Sequence, residues 1–123
     1  MYQKMKTVYI ITNSVSKRSY VGITERKTHI RFYEHIKLLR RGKHYVSSMQ
    51  EDFNRYGEDS FQVEEYGSYE EKIANRMEYT VMDLMNSRDR EHGYNYRDIN
   101  KYKTPEMIRA QNSQKKKARA QAV

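Results

Sequence analysis

The pattern of apolar and polar residues near the start of the chain predicts a β-hairpin. Residues 7–22 (TVYIITNSVSKRSYVG) contain two short β-branched and aromatic runs, separated by polar residues that form turns. The apolar runs include Val8, Ile10, Tyr20 and Val21, and the turn includes Asn13, Ser14 and Ser16. Each strand carries a tyrosine, Tyr9 or Tyr20, and Gly22 ends the second strand. Packing explains the two phenols, because tyrosines favour strands and pair across them, but a chemical role would also explain them.

A helix is predicted to begin at Thr28, which can act as an N-cap, and to run to about Arg41, where Gly42 ends it. Its apolar side consists of Phe32, Ile36 and Leu39, at the spacing i, i+4, i+7. Arg31 and His35 are four positions apart, so a guanidinium and an imidazole project from one flank at the border of the core.

The middle of the chain predicts a short helix followed by a strand. Ser47 or Ser48 is the expected cap of the short helix, which runs through Phe53. Residues 60–65 (SFQVEE) alternate apolar and polar side chains, which is typical of a half-buried strand. This segment is therefore the third predicted strand.

The longest predicted helix runs from Ser68 to about Asn86. Its expected apolar stripe consists of Ile73, Met77, Thr80 and Leu84. Glu78 lies beside that stripe, on the flank shared by Ala74, Val81 and Met85. A carboxylate in this position is either a residue at the helix edge or a ligand aimed at a site.

The last third of the chain predicts a linker and a basic arm. From Ser87 the sequence is polar, which indicates a loop leading out of the domain. A Thr-Pro-Glu signature at 104–106 predicts a helix start, and residues 107–123 include too few large apolar side chains to dock strongly on a core. We expect a folded domain at 1–96, a linker at 97–103 and a basic helical arm at 104–123. The candidate DNA-binding residues of the arm are Arg109, Lys115, Lys116, Lys117 and Arg119.

Length and composition exclude several classes of protein. The 123 residues have room for one modest core. The chain contains no cysteine, which excludes a disulfide scaffold and a cysteine-rich zinc site. No apolar run is long enough to span a membrane, and the first residues lack the apolar core of a signal peptide. We therefore expect no membrane partner and a cytoplasmic location, in a bacterial or phage-infected cell.

The charge of the chain favours a nucleic-acid partner. The 24 Lys+Arg against 16 Asp+Glu give a formal charge of +8. Tyrosines and phenylalanines are interleaved with these charges, and no amphipathic anchor helix accompanies them. Solubility alone is the other explanation of such a basic surface.

Two triplets in the hairpin resemble the signature of the GIY-YIG nuclease family. They are Thr7-Val8-Tyr9 and Tyr20-Val21-Gly22, with Thr7 and Val8 in place of the family's first Gly and Ile. Further pieces come in the family's order: Arg31, His35, His44, residues 49–61 (MQEDFNRYGEDSF), Glu78 and Gly93-Tyr94-Asn95. The resemblance covers about residues 7–95 and is to the nuclease domains of phage and intron-encoded homing endonucleases.

This resemblance implies a small α+β fold, with a three-stranded antiparallel sheet flanked by helices. It also implies a DNA endonuclease that hydrolyses phosphodiester bonds with a single divalent metal, Mg²⁺ or Mn²⁺. The residues carried over are Tyr9, Tyr20, Arg31, His35, His44 and Asn95 as catalytic residues, Glu78 as metal ligand and Gly22 as a structural residue. With at most the arm as a DNA-binding region, sequence specificity would be low, or would be supplied by a separate specificity subunit or a homo-oligomer on DNA.

These residue types suit phosphodiester hydrolysis, which requires an activated water and stabilisation of the charge on the phosphoryl oxygens. Glu78 offers hard oxygen ligands for Mg²⁺, and Arg31 offers a planar set of donors to a phosphate. A tyrosine with an ordinary pKa of about 10 is a poor base. Tyr9 therefore needs help from a group such as His35, and the spacing alone leaves open which phenol takes the proton.

Each candidate residue also has a structural explanation when it is considered alone. Arg31 would pair with Glu34 or Glu25 on the surface, and Glu78 would be a solvated carboxylate at a helix edge. Two other functions also remain open. The first is a DNA-binding module whose nuclease centre is weak or disabled, and the presence of all the expected polar residues argues against it. A basic RNA-binding protein would fit the charge and the tyrosines, but it gives Glu78 no role.

Overall fold

The first strand lies at the centre of a three-stranded antiparallel sheet. The computed structural model describes residues 4–96, and the predicted linker and arm lie outside them. The elements are β1 (Met5–Asn13), β2 (Ser19–Thr24), α1 (Thr28–Arg40), α2 (Ser47–Tyr56), β3 (Phe61–Glu70) and α3 (Glu71–Met85). A short 3-10 turn at Glu58–Ser60 precedes β3, and the strand order in the sheet is β2-β1-β3. The predicted α+β class and the three antiparallel strands are confirmed.

The two faces of the sheet are both covered, so β1 is buried on each side. One core cluster joins the sheet to α1 and α2, and it includes Tyr9, Ile11, Tyr20, Ile36, Leu39 and Met49. The other joins the sheet to α3, and it includes Val8, Ile10, Val21, Val81 and Met82. Burial on both faces explains why β1 carries a continuous apolar run instead of an alternating one.

The predicted hairpin forms between β1 and β2, which pair from Thr7–Thr24 to Thr12–Ser19. The side chain of Asn13 organises its turn, because Asn13 Oδ1 accepts the backbone N–H groups of Val15 and Ser16, each at 2.9 Å. Lys17 takes the left-handed conformation that closes the turn, with φ of 65°.

The start of α1 differs from the prediction in its cap. The extended residue before the helix is Lys27, and no side chain caps the N-terminus. Thr28 is instead the first helical residue, and its hydroxyl donates to Glu65 Oε1 of β3 at 2.6 Å. The Thr28 hydroxyl therefore connects α1 to the sheet and does not cap the N-terminus of the helix.

The start of α2 was also predicted with the wrong cap. Val46 occupies the capping position, neither Ser47 nor Ser48 provides a side-chain cap, and the helix continues to Tyr56. The N–H of Val46 donates to Nδ1 of His44, which holds Val46 in an extended conformation just before the helix. A tertiary contact, and not a serine hydroxyl, thus sets where α2 begins.

The boundary between β3 and α3 lies later than predicted. β3 extends to Glu70, so α3 begins at Glu71 and not at Ser68. The additional strand residues pair with the start of β1, for example Ser68 with Thr7 and Glu70 with Met5. Pairing with β1 therefore overrides the local helical pattern.

The buried face of α3 is not the stripe that was predicted. Ile73 is 47% exposed and Leu84 is 68% exposed. The helix instead buries Ala74, Glu78, Val81 and Met82. The small residues Ala74 and Val81 have no accessible surface and let the helix approach the sheet closely. Of the predicted stripe, Met77 packs against the core. Within residues 4–96, no helix is long and apolar enough to span a membrane.

The segment after α3 returns to the sheet, contrary to the prediction that it leads out of the domain. Gly93 forms a bridge with Ser19 of β2, and the N–H of Tyr94 donates to the Ser19 carbonyl at 2.9 Å. Gly93 is required there, since a Cβ would lie 1.9 Å from the carbonyl oxygen of Ser87. Tyr94 and Asn95 are consequently buried.

Candidate active site

The hydroxyl of Tyr9 is the centre of a group of polar side chains at the edge of the sheet. Tyr9 projects from the central strand, and its ring crosses over Gly22 on the edge strand β2. A Cβ at Gly22 would lie 2.3 Å from the ring and from the hydroxyl of Tyr9, so only glycine leaves room for it. A β-bulge beside Tyr9, where the register to β3 shifts between Val8 and Tyr9, further defines its direction.

Two buried histidines form a hydrogen-bonded chain that ends on this hydroxyl. The N–H of Val46 can only donate, so Nδ1 of His44, 3.0 Å away, is the acceptor. Neutral His44 then carries its proton on Nε2 and donates to Nδ1 of His35 at 2.8 Å. His35 in turn carries its proton on Nε2 and donates to Tyr9 Oη at 2.9 Å. One backbone N–H thus assigns both tautomers.

Both histidines are held in the neutral form. Burial, with the positive charge of Arg31 and the neighbouring His44, lowers the pKa of His35 to about 3. Burial and Arg31 also lower the pKa of His44 to about 4, against a hydrogen bond with Val46 that raises it. At neutral pH, His35 therefore helps Tyr9 as a neutral hydrogen-bond donor and not as a cation.

Charges of both signs act on the Tyr9 phenol. Burial raises the pKa of Tyr9 above its usual range, the cation of Arg31 lowers it, and the negative charge of Glu78 raises it. Glu78 is 4% exposed and belongs to α3, on the opposite face of the sheet from α1. Because the Tyr9 ring crosses the edge strand, groups from both faces act on its hydroxyl.

Arg31 lies at the open side of this group. Its Nη1 is 3.7 Å from Glu34 Oε2, and its Nη2 donates to the hydroxyl of Tyr45 at 3.1 Å. It borders an open cavity of about 350 Å³, whose charged lining also includes Lys6, Arg26, Glu25 and Glu34. The cations of this cavity suit the negative backbone of a nucleic acid, and the two carboxylates offset part of their charge.

Tyr20 and Tyr45 complete the group. The Tyr20 ring lies edge-on to His35, with 5.2 Å between centroids, and the hydroxyls of Tyr20 and Tyr45 are 3.3 Å apart. Tyr45 was not a predicted site residue. Its position directly after His44 is the signal that could have identified it, because a residue next to a site histidine lies near the same site.

Asn95 is placed differently from the other predicted site residues. Its Oδ1 accepts the N–H of Val21 at 2.8 Å, and its Nδ2 donates to the Val21 carbonyl at 3.0 Å. The side chain therefore pairs with β2 as a further strand would, and it is 1% exposed. Both polar atoms of the amide are engaged with the edge strand.

The donor set around Tyr9 fits a hard divalent cation. Glu78 offers a carboxylate, the tyrosines offer phenolic oxygens, and waters would complete an octahedral shell. A buried carboxylate also gains from a bound cation, because burial disfavours an isolated charge. Another group of possible ligands, Asp89, Glu91 and His92, is exposed on the loop after α3.

The sequence and the fold of the chain are similar to those of known nuclease domains. A family model described as the GIY-YIG catalytic domain matches residues 5–95. A solved mutant of the catalytic domain of intron endonuclease I-TevI is 27% identical with a TM-score of 0.66, over 76% of this chain and 95% of that one. The catalytic domain of homing endonuclease I-TevI is 25% identical with a TM-score of 0.64, over 72% of this chain and 95% of that one. A search of curated proteins gave no significant match.

Proposed function

Because this chain belongs to the GIY-YIG family, we propose that it is a Mg²⁺- or Mn²⁺-dependent DNA endonuclease of the homing type, from a phage or mobile element. The chain contains a GIY-YIG nuclease domain, similar to a homing endonuclease catalytic domain. The observation that carries the proposal is the hydrogen-bonded chain from His44 through His35 to Tyr9, beside Arg31 and Glu78.

Tyr9 is the proposed proton acceptor for the attacking water. His35 donates a hydrogen bond to its oxygen, which favours the phenolate form over the phenol. Tyr20, packed against His35, is proposed to orient the water or the phosphate. Arg31 presents its donors to the phosphoryl oxygens, where negative charge grows in the transition state.

Glu78 is the proposed metal ligand. A bound divalent cation would supply positive charge that acidifies water and tyrosine and stabilises the departing oxygen. The buried position of the carboxylate supports this role, since it lies close enough to act on the pKa of Tyr9. Asn95 was expected to be catalytic from the resemblance, and its pairing with Val21 supports instead a role in holding the edge strand.

Cleavage of supercoiled plasmid tests the proposal. The parent protein is expected to cut with Mg²⁺ or Mn²⁺ and to stop with EDTA, and sequencing of the DNA ends gives the position and stagger of the cuts. Glu78→Gln is expected to keep the fold and DNA binding but to lose cleavage, because an amide is a weaker Mg²⁺ ligand. Glu64→Gln, at an exposed position on β3, is the matched control.

Three outcomes would overturn parts of this proposal. A folded parent that binds DNA but cuts with neither metal would be a DNA-binding module. Binding to RNA with no binding to DNA would indicate a basic RNA-binding protein. Full metal-dependent cutting by folded Glu78→Gln would remove Glu78 as the metal ligand.

The proposed substrate is DNA, and specificity is proposed to come from outside residues 4–96. Those residues hold 16 of the 24 Lys+Arg and 14 of the 16 Asp+Glu, so their net charge is only +2 of the total +8. The remaining +6 lies after residue 96, in the predicted linker and arm. A partner subunit or a second copy on DNA is the other proposed source of specificity.

A further inference from the structure

We infer that Tyr45 is a positioning residue of the proposed nuclease site, whose hydroxyl holds the Arg31 guanidinium ready for the scissile phosphate. The inference rests on the proposed function. Arg31 Nη2 lies 3.1 Å from Tyr45 Oη, and Tyr45 Oη lies 3.3 Å from Tyr20 Oη. A guanidinium can only donate, so the Tyr45 oxygen accepts from Arg31 and still has a proton to offer Tyr20.

The ring of Tyr45 is held in place although it is 53% exposed. It stacks on His44, with 4.4 Å between centroids and 22° between planes. His44 is itself fixed by its hydrogen bonds to Val46 and His35. The hydroxyl of Tyr45 therefore occupies a defined position at the mouth of the site, even though one side of the ring faces solvent.

Arg31 is held at two of its three nitrogens. Glu34 lies 3.7 Å from Nη1, and Tyr45 binds Nη2. A planar guanidinium held on both sides has one orientation, and its other N–H groups remain available to a phosphate. Without Tyr45, the interaction with Tyr9 and the ion pair to Glu34 would remain, and a partly exposed pair at 3.7 Å orients a long side chain weakly.

This clamp on Arg31, formed by Tyr45 and Glu34, should affect the rate of the chemical step more than the affinity for DNA. The guanidinium makes its contact in the bound complex with or without Tyr45, but it does so in the reactive orientation more often when it is held beforehand. The expected loss without the hydroxyl is about tenfold in rate, which is the upper end of the range for one ordinary hydrogen bond and just below the range for one to a charged group.

Single-turnover cleavage of a plasmid with Mg²⁺ tests the inference. Tyr45→Phe keeps the stacked ring and removes the hydroxyl, so the rate at saturating DNA should fall about tenfold with the half-saturating DNA concentration unchanged within about twofold. Tyr33→Phe, also on an exposed tyrosine, is the matched control and should cut at the parent rate. A parent rate in Tyr45→Phe would overturn the inference, and so would a loss that appears only in Tyr45→Ala.

A double-mutant cycle separates positioning of Arg31 from direct contact with DNA. If Tyr45 acts through Arg31, then Tyr45→Phe should change the rate of an Arg31→Lys protein less than about twofold. A full tenfold loss in that background would mean an independent role and would overturn the inference.

The guanidinium also gives a readout that does not depend on cleavage. In nitrogen NMR spectra, rotation of the Arg31 guanidinium should be slower in the parent than in Tyr45→Phe, and equal rotation would contradict the clamp. A parent that cuts no DNA would overturn the proposed function alone, because this measurement would still test the contact between Tyr45 and Arg31.

Discussion

The absence of a side chain at Gly22 determines where the Tyr9 hydroxyl lies. The Tyr9 ring rests on the Gly22 backbone, and this contact carries the hydroxyl across the edge strand toward His35 and Glu78. The glycine therefore serves a neighbouring side chain and not its own backbone conformation. The same contact explains how one strand residue meets groups from both faces of the sheet.

Gly22→Ala is expected to destabilise the fold and to lower activity further than the loss of folded protein explains. The new Cβ would lie 2.3 Å from the Tyr9 hydroxyl, so the buried ring must move away from His35. Overpacking of this kind costs about 1 to 3 kcal/mol. Denaturant unfolding and the cleavage rate per folded molecule test the prediction. A variant with the parent rate would show that the ring has room to adjust.

The two neutral histidines predict a loss of stability in mild acid. Unfolded histidine has a pKa of about 6.5, whereas His35 and His44 have folded values of about 3 and about 4. Between these values the unfolded chain binds more protons, so stability rises with pH. The contribution is complete above about pH 6.5 and is lost as the pH falls toward the folded values, by about 1.4 kcal/mol per pH unit for each histidine.

Urea unfolding between pH 4 and 7 measures this dependence. His44→Gln should reduce the slope of stability against pH, because one of the two titrating groups is removed. His29→Gln, at an exposed position, is the matched control. An unchanged slope in His44→Gln would mean that other groups produce the acid sensitivity.

Site residues could be predicted from the sequence where they follow one another in the order known from a family. Tyr9, Arg31, His35 and Glu78 follow a family order, and the structure brings them together. Tyr45 belongs to no such pattern. Its position after His44 places it near the site, but only the structure shows that its hydroxyl contacts Arg31. The tautomers of the histidines were likewise beyond sequence reasoning, because they depend on one backbone N–H of Val46.

At the scale of elements, local patterns predicted which segments are strands and helices but not where they end. β3 continues past the predicted boundary because β1 is available to pair with it. Helical spacing predicted a buried stripe on α3 beside Glu78, whereas the fold buries Ala74 and Val81 together with Glu78 itself. A polar residue inside a buried face weakens the hydrophobic pattern, so a functional helix of this kind is difficult to orient from its sequence.

The edge strand depends on the segment after α3. Asn95→Ala would leave the N–H and carbonyl of Val21 without these two partners in a buried position. Losing both should cost about 2 to 4 kcal/mol, which lowers the melting temperature by about 10 °C or more. Cleavage per folded molecule at low temperature should remain near the parent rate, since the Tyr9 group is intact. The matched control is Asn54→Ala, at an exposed position.

The loss of stability and the unchanged cleavage rate expected for Asn95→Ala can be tested separately. Thermal melts measure the loss of stability, and cleavage at a temperature where the variant is folded measures the chemistry. A stable Asn95→Ala protein that cuts DNA more than about tenfold slower would return Asn95 to the catalytic group.

For the whole molecule, charge is divided unevenly along the chain. Residues 4–96 carry a net charge of only +2, whereas the residues after 96 carry a net +6. A nuclease domain with little net charge binds the DNA backbone weakly unless other cations assist it. The arm is therefore expected to contribute affinity while the described residues contribute the chemistry.

Replacing Arg109, Lys115, Lys116, Lys117 and Arg119 with glutamine tests this division. If those five cations neutralise phosphates, each releases about 0.9 counterions from duplex DNA. The slope of log K against log salt should then become shallower by as much as about 4.5. Cutting at saturating DNA should persist, because the residues from Tyr9 to Glu78 are unchanged. A variant with the parent salt slope would mean that these cations do not contact DNA, and one that binds normally but does not cut would place the arm within the chemistry.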